Sequence, residues 1–269
     1  LGPMVASAYL SLTNSDILTR AQWVGLGNYI DMFQDPLFRL SLYNTAYYTL
    51  LGVPLYLVAS LIMALMLSQD LKGIPIYRTA YFVPSLTPSV ANALLWIWIY
   101  SPDFGLANAA LRAVGLPPQK WIFDAAMAKP SFIIMGLWGI GGQMIIFLAG
   151  LQAISQELYQ AASIDGAGSW RRFLHITLPM LSPTIFFNLV IGIIGSFQVF
   201  TTAFIATQGG PQNATLFYVL YLYRHAFEYF QMGYASALAW VLFLIVLVLT
   251  LIQFRLARDL VYYEGEVRA

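Results

Sequence analysis

At 269 residues, 59% hydrophobic and only 9% charged, the chain falls far short of the roughly one quarter charged residues usual in soluble domains, so it reads as a polytopic membrane protein. The length fits one helical domain over residues 1–269, with no room for an additional soluble ATPase or catalytic domain. A net charge of +1 offers nothing to nucleic acid, the absence of cysteine removes disulfides and thiolate metal sites, and the two histidines, His175 and His225, are far apart in the sequence.

Residues 1–11 are apolar but too short to cross a bilayer alone, and read as the outer end of a first transmembrane helix whose start is missing. Residues 12–39 carry Asp16, Arg20, Asp31, Asp35 and Arg39 and are expected in water. Five uncharged stretches follow, bounded by Arg39 and Asp70, Arg78 and Asp103, Lys129 and Glu157, His175 and Arg224, and Glu228 and Arg255. Each exceeds the roughly 20 residues a spanning helix needs, giving six spans with the first truncated. Pro54, Pro84, Pro88 and Pro183 lie in or at the edges of these stretches and predict kinks, hence a bundle lining a cavity. With no Asp, Glu, Lys or Arg inside any complete span, a proton- or ion-coupled carrier is disfavoured and a neutral solute is expected. The last span is nearly all aliphatic after Trp240 and reads as lipid-facing scaffold.

The longest polar run between two spans is residues 155–183, SQELYQAASIDGAGSWRRFLHITLPMLSP. Ser155 suits an N-cap, with Glu157 in the first turn beside unpaired N–H groups. Ala161 and Ala162 leave one flank open to close approach, and Asp165-Gly166 should break the helix. Beyond the break, Trp170, Phe173 and Leu174 fall at helical spacing with Arg171 and Arg172 opposite. Anchored in lipid at both ends, the run is a handle for a soluble partner, or else an amphipathic connector on the membrane surface.

Within it, LYQAASIDGAGSWRRFLHITLP resembles the EAA loop of ATP-binding-cassette importer permeases, and its DGA, Trp, Phe and I-x-LP elements are most like the sugar-importer branch. GLGNYIDMFQDPLF, FGLANAALRAVGLPP, Trp121-Ile122-Phe123 and TQGGPQNATLFYVLYLYRHAF resemble further segments of that family. The resemblance implies an all-α type I importer transmembrane domain, a transporter subunit and not an enzyme, in the inner membrane of a prokaryote with its C-terminus cytoplasmic. It implies that Glu157, Gln160, Ala161, Ala162, Asp165, Gly166 and Ala167 form the coupling surface for a separate ATPase dimer. ATP and Mg would be bound by that partner, with no cofactor in this chain, where no G-x-x-x-x-G-K-[ST] loop occurs. The further partners implied are a second permease subunit, usually a different chain in sugar systems, and an extracytoplasmic solute-binding protein. The family's glutamate is replaced by Gln160, which offers the ATPase a neutral hydrogen bond instead of an ion pair.

If the coupling run is cytoplasmic, the inner segments hold Lys72, Arg78, Arg171, Arg172, Arg255, Arg258 and Arg268, against Arg20, Arg39, Arg112, Lys120, Lys129 and Arg224 outside. The inner segments are shorter, so their basic density is the higher, in the sense of the positive-inside rule.

Sugars are held by amides and hydroxyls, with an aromatic face against the ring's C–H side. Candidates for the substrate path are Ser85, Ser89 and Asn92 in the third span, Trp138 and Gln143 in the fourth, and Ser196, Gln198 and Thr201 in the fifth; the resemblance implies that the third to fifth spans line the path, with Ser85, Ser89, Trp138, Gly142 and Ser196 at or beside its positions. Gly139, Gly141 and Gly142 would leave open volume beside the Trp138 indole. The same residue types also bind membrane helices to one another, so packing stands beside path lining for each. The same architecture could carry glycerol phosphate, an amino acid or a polyamine, and an ATP-independent carrier or channel is the alternative from another class. A membrane enzyme lacks any convergent His, Asp and Glu set.

Overall fold

The computed structural model describes residues 2–16 and 21–262. Arg20, Arg268 and the charged tail beyond Tyr262 lie outside the described residues. Among the described residues the regular elements are helical apart from one antiparallel bridge between Thr13 and Trp23, and helices are how a chain satisfies its backbone polar groups away from water.

Helix α1 (Gly2–Ser11) is followed in the chain by α2 (Gly27–Gln34), and α3 runs unbroken over Pro36–Leu67. Next come α4 (Ile74–Phe82), a 3₁₀ turn at Val83–Leu86, α5 (Ser89–Ile99), α6 (Leu106–Ala113), α7 (Ala125–Leu137), α8 (Gly141–Ala153) and α9 (Gln156–Ile164). Short helices α10 (Ser169–Arg172) and α11 (Leu178–Met180) flank a π turn at Phe173–Thr177. The chain ends with α12 (Ser182–Phe197), α13 (Thr201–Ala206), α14 (Tyr218–Tyr223), a second π turn at Arg224–Glu228, and α15 (Met232–Leu260).

Three helical runs, Pro36–Leu67, Ser182–Ala206 and Met232–Arg258, are individually long and apolar enough to span a membrane. Two pairs, α4 with α5 and α7 with α8, qualify only together, each bent by more than 40° at a short break. These five coincide with the five uncharged stretches. Pro84 and Pro88 account for the first break: Thr87 is extended, with φ −68° and ψ 128°, as a residue preceding proline is driven to be. Pro54 lies inside α3, which continues through it. The helices also overrun the uncharged stretches. Helix α3 starts before Arg39, α15 continues past Arg255 and Arg258, and α7 starts before Lys129. The reason at α7 is Asp124, whose Oδ1 accepts from the N–H groups of Ala126 at 2.9 Å and Met127 at 3.1 Å, an N-cap five residues ahead of the expected boundary at Lys129. A lysine is thus carried on a spanning helix that the sequence suggested was free of charge.

The chain divides into two compact units. One comprises Leu1–Leu51, Pro88–Ile134 and Ile194–Leu249. Its core is aromatic: Phe38 meets Tyr218 edge-on at 5.9 Å, and Phe217 contacts Tyr48 at 5.5 Å and Phe132 at 5.7 Å. The loop before α14 is fastened to α3 by the buried Asn44 amide, which donates to the carbonyls of Asn213 at 2.9 Å and Leu216 at 3.2 Å. Thr45 Oγ1 accepts from the Tyr218 N–H at 2.9 Å. Asn108 acts likewise, donating to Pro102 and Gln119 carbonyls and accepting from Gln119 N–H and the Trp121 indole.

The other unit comprises Gly52–Thr87, Met135–Ile193 and Thr250–Ala269, around Ala64, Leu67, Met144, Phe147 and Leu148. Arg78 closes α3 by donating Nε (3.0 Å) and Nη2 (2.7 Å) to the Leu67 carbonyl, a cation at the negative end of a helix. Gly141 is packed against α4: a β-carbon there would stand 2.3 Å from the Tyr81 carbonyl oxygen. This corrects the expected open volume at the glycine cluster, because Gly141 is spent on close helix approach. Only open space surrounds Gly142.

Candidate functional site

Residues 155–183 fold as an elbow of two helical arms. Ser155 Oγ accepts from the Glu157 N–H at 3.2 Å, starting α9 as an N-cap. At the other end the Ala167 N–H donates to the Ala162 carbonyl at 2.9 Å and the Gly166 N–H to the Ser163 carbonyl at 3.1 Å. This pair of bonds is a Schellman motif, and Gly166 holds its left-handed position with φ +74°. The second arm returns through α10, the π turn and α11. It is tied to the first by Tyr159 Oη to Thr177 Oγ1 at 2.9 Å, and by Arg172 Nη1 donating to Ser163 Oγ at 3.0 Å. Gly166 is therefore a fixed corner.

The outward face of the elbow is mixed in character. Glu157, Gln160, Ala161, Asp165 and Gly166 are exposed, and Ala162 and Ala167 are half-buried. Ile164 is 88% exposed and Trp170, stacked on Phe173 at 5.6 Å, is 70% exposed. Exposed apolar side chains on a short polar loop are the mark of a surface that meets another protein or a membrane. A cavity of about 610 Å³ opens beside it, lined by Tyr159, Gln160, Ser163 and Arg172 from the elbow and by Leu65, Ser68 and Gln152. The expected two-sided second helix is corrected in one respect. Arg172 is half-buried and bonded to Ser163, while Trp170 and Leu174 point outward. Beyond Phe173 the π turn replaces the regular helical spacing on which that expectation rested.

The substrate-path candidates divide between the two units. Ser85, Trp138, Gly142 and Gln143 lie in the second; Ser89, Asn92, Ser196, Gln198 and Thr201 lie in the first. Ser85 Oγ donates to the Phe82 carbonyl at 2.6 Å, and Trp138 is 47% exposed. Ser89 and Gln198 are exposed and Thr201 half-buried. Ser196 is buried against α3, its hydroxyl 2.8 Å from Thr49 Oγ1. Gln143 Oε1 and Asn92 Oδ1 are each buried with no hydrogen-bond partner.

Two groups escaped the sequence reading. Lys129 Nζ donates to Asn44 Oδ1 at 3.0 Å and sits 5.2 Å and 5.5 Å from the ring centroids of Tyr43 and Tyr47. The Asp124 N-cap was the signal that could have placed it on the helix. A cavity of about 430 Å³ gathers Asn28, Asp31, Asp35, His225, Gln231 and Tyr234. There Tyr221 donates to Asp35, and His225 Nδ1 lies 2.7 Å from Gln231 Oε1. Burial holds the His225 imidazole below its ordinary pKa, with the Gln231 hydrogen bond and Asp35 pulling partly the other way. The other residues lining this cavity lie 6 to 211 positions from His225 in sequence, so only folding assembles them.

With this geometry in hand, comparison with known proteins is decisive about family. The probable ABC transporter permease protein YesP of Bacillus subtilis (strain 168) is 45% identical, over 98% of this chain and 87% of that protein. The lactose transport system permease protein LacF of Rhizobium radiobacter is 36% identical, over 96% and 89% respectively. Among solved structures, a bacterial alginate ABC transporter in complex with an alginate pentasaccharide-bound periplasmic protein includes a chain that superposes with a TM-score of 0.85. That match covers 96% of this chain and 88% of the other at 24% identity, a likeness of fold. Residues 41–261 match the family model described as binding-protein-dependent transport system inner membrane component, and the chain belongs to that family of ABC importer permeases.

Proposed function

We propose that this permease moves a sugar or related polyol across the inner membrane by alternating access, driven through the 155–183 elbow by a separate ATPase dimer. A second permease subunit and an extracytoplasmic solute-binding protein complete the machine, the elbow faces the cytoplasm, and ATP and Mg belong to the ATPase. The observation that carries the coupling role is the Gly166 corner, which fixes α9 and presents Ile164 bare to solvent beside Glu157, Gln160, Ala161 and Asp165. A rigid corner transmits displacement to α12 along a continuous helical path, where a flexible one would absorb it. Ala162 and Ala167 keep the elbow slim, and Gln160 can give the motor only neutral hydrogen bonds.

A hydroxylated cargo is supported by LacF, a lactose system permease by name, and by AraP of Bacillus subtilis, named for arabinooligosaccharides. The chain's own chemistry agrees. The unpartnered acceptors Asn92 Oδ1 and Gln143 Oε1 suit sugar hydroxyls, which donate. Ser85, Ser89 and Gln198 add polar groups, Trp138 an aromatic face, and Gly142 room. UgpA of Yersinia pestis, a sn-glycerol-3-phosphate system permease by name and 35% identical, makes a phosphorylated polyol the second reading.

The test uses the absence of cysteine. With a single Ile164→Cys in the assembled transporter, a short bifunctional cross-linker should join this chain to the ATPase, and labelled sugar should enter proteoliposomes only with ATP. Uptake at full rate without any ATPase, or cross-linking only from the opposite side of the membrane, would overturn the reading.

A further inference from the structure

The groove between the start of α12 and the end of α15 borders the second arm of the elbow but contains none of the residues assigned to coupling or to the substrate path. Its first lobe, of about 420 Å³, is walled by Leu178, Pro179, Ile185, Leu189, Leu256 and Val261. One of its few polar groups, Ser182 Oγ, is occupied in accepting from the Tyr262 N–H at 2.8 Å. A second lobe, of about 480 Å³, shares the walls Phe186 and Ala257 with the first and adds Arg255 and Arg258. Phe186 and Phe254 meet edge-on at 5.1 Å across it. The two arginines stand three apart on one helix and so share a face. Both are exposed, and among the described residues neither forms an ion pair.

We propose that this groove is a binding site for an anionic phospholipid, with an acyl chain in the apolar lobe and the phosphate on Arg255 and Arg258. The order of the lobes carries the assignment. Along α15, an apolar helix long enough to span a membrane, the basic pair lies in the last turns, where the bilayer's headgroups must be. The adjoining lobe is too apolar for a sugar, whose hydroxyls would lose their water without replacement. Charge complementarity selects an anionic over a zwitterionic headgroup, and basic pockets between membrane helices take such lipids elsewhere. The inference concerns lipid and stands whatever the cargo.

Native mass spectrometry of the assembled transporter tests it, titrated with phosphatidylglycerol or with phosphatidylcholine of the same acyl chains. Phosphatidylglycerol should be retained more tightly by about fivefold per arginine, or roughly 25-fold for the pair. Arg255→Gln with Arg258→Gln should abolish that preference, and Ile185→Trp should weaken retention of both lipids. Inorganic phosphate at millimolar concentration should displace neither. Equal retention of the two lipids, or a preference that survives the double substitution, would overturn the proposal. So would displacement by phosphate, binding only after residues 263–269 are removed, or loss of the lipid when the second permease subunit joins, since the occupant would then be an anion, the tail or the partner.

Discussion

Replacing Gly166 isolates backbone geometry from packing. A β-carbon built on Gly166 meets nothing within 4 Å, so the first cost of a substitution is that of holding φ at +74°. For an ordinary L-residue that is about 1–2 kcal/mol, which lowers the population of the formed corner by about 5- to 30-fold relative to its alternatives. Asparagine enters this region far more readily, so the order of coupled activity should be Gly, then Asn, then Ala, with the β-branched Val lowest. ATP-driven sugar uptake should be measured in proteoliposomes at matched amounts of assembled complex, with ATP hydrolysis followed in parallel. Gly166→Val should depress uptake towards the lower end of that range while hydrolysis persists, and Gly166→Asn should retain most of it. Gly73 provides the control, having φ +93° and equally open surroundings, but belonging to the α3–α4 turn and not to residues 155–183. If Gly166→Asn is as damaging as Gly166→Val, side-chain bulk at a docked surface is responsible and the fixed-corner argument fails. If Gly73→Val uncouples equally, the effect is general instability.

The remaining expectations concern groups that folding assembled. Lys129→Met leaves Asn44 Oδ1 buried without its donor and should cost about 1–3 kcal/mol, read as a fall in thermal midpoint in nanodiscs. A double-mutant cycle with Asn44→Ala should return a coupling of about 1 kcal/mol, and a coupling near zero would show that the bond contributes nothing. At His225 the sign follows from a folded-state pKa held below the unfolded value. The folded chain binds fewer protons in that interval, so the contribution is present above about pH 6.5 and is lost as pH falls through the lowered value. Stability should therefore drop on acidification below pH 6.5 and the drop should shrink in His225→Gln; a profile unchanged by the substitution would place the titration elsewhere.

What the sequence made legible is what depends on neighbours in the chain. Five spans could be counted because a bilayer tolerates few charges over some twenty residues, and the corner at Gly166 was readable because an N-cap, a helix's length and a glycine stop lie within a dozen positions. Where the reading slipped, the deciding partner was remote or competed with a stronger local signal. Charge marked Lys129 as a boundary, yet Asp124 starts the helix earlier and Asn44, 85 residues away, receives the amine. Glycine marked position 141 as empty, yet the α4 backbone fills it.

The same contrast bears on the substrate candidates. Ser196 and Gln143 were indistinguishable as polar residues in apolar stretches, but folding gives Ser196 a partner in Thr49 and leaves Gln143 Oε1 with none. A buried amide oxygen without a donor costs about 1–3 kcal/mol, an expense a chain has reason to keep where a cargo's hydroxyl periodically supplies the missing donor. On these energetic grounds we propose Gln143 and Asn92, ahead of Ser196, as residues of the path. Ser196, already satisfied, has more to give to the packing of α12 on α3 than to a passing sugar.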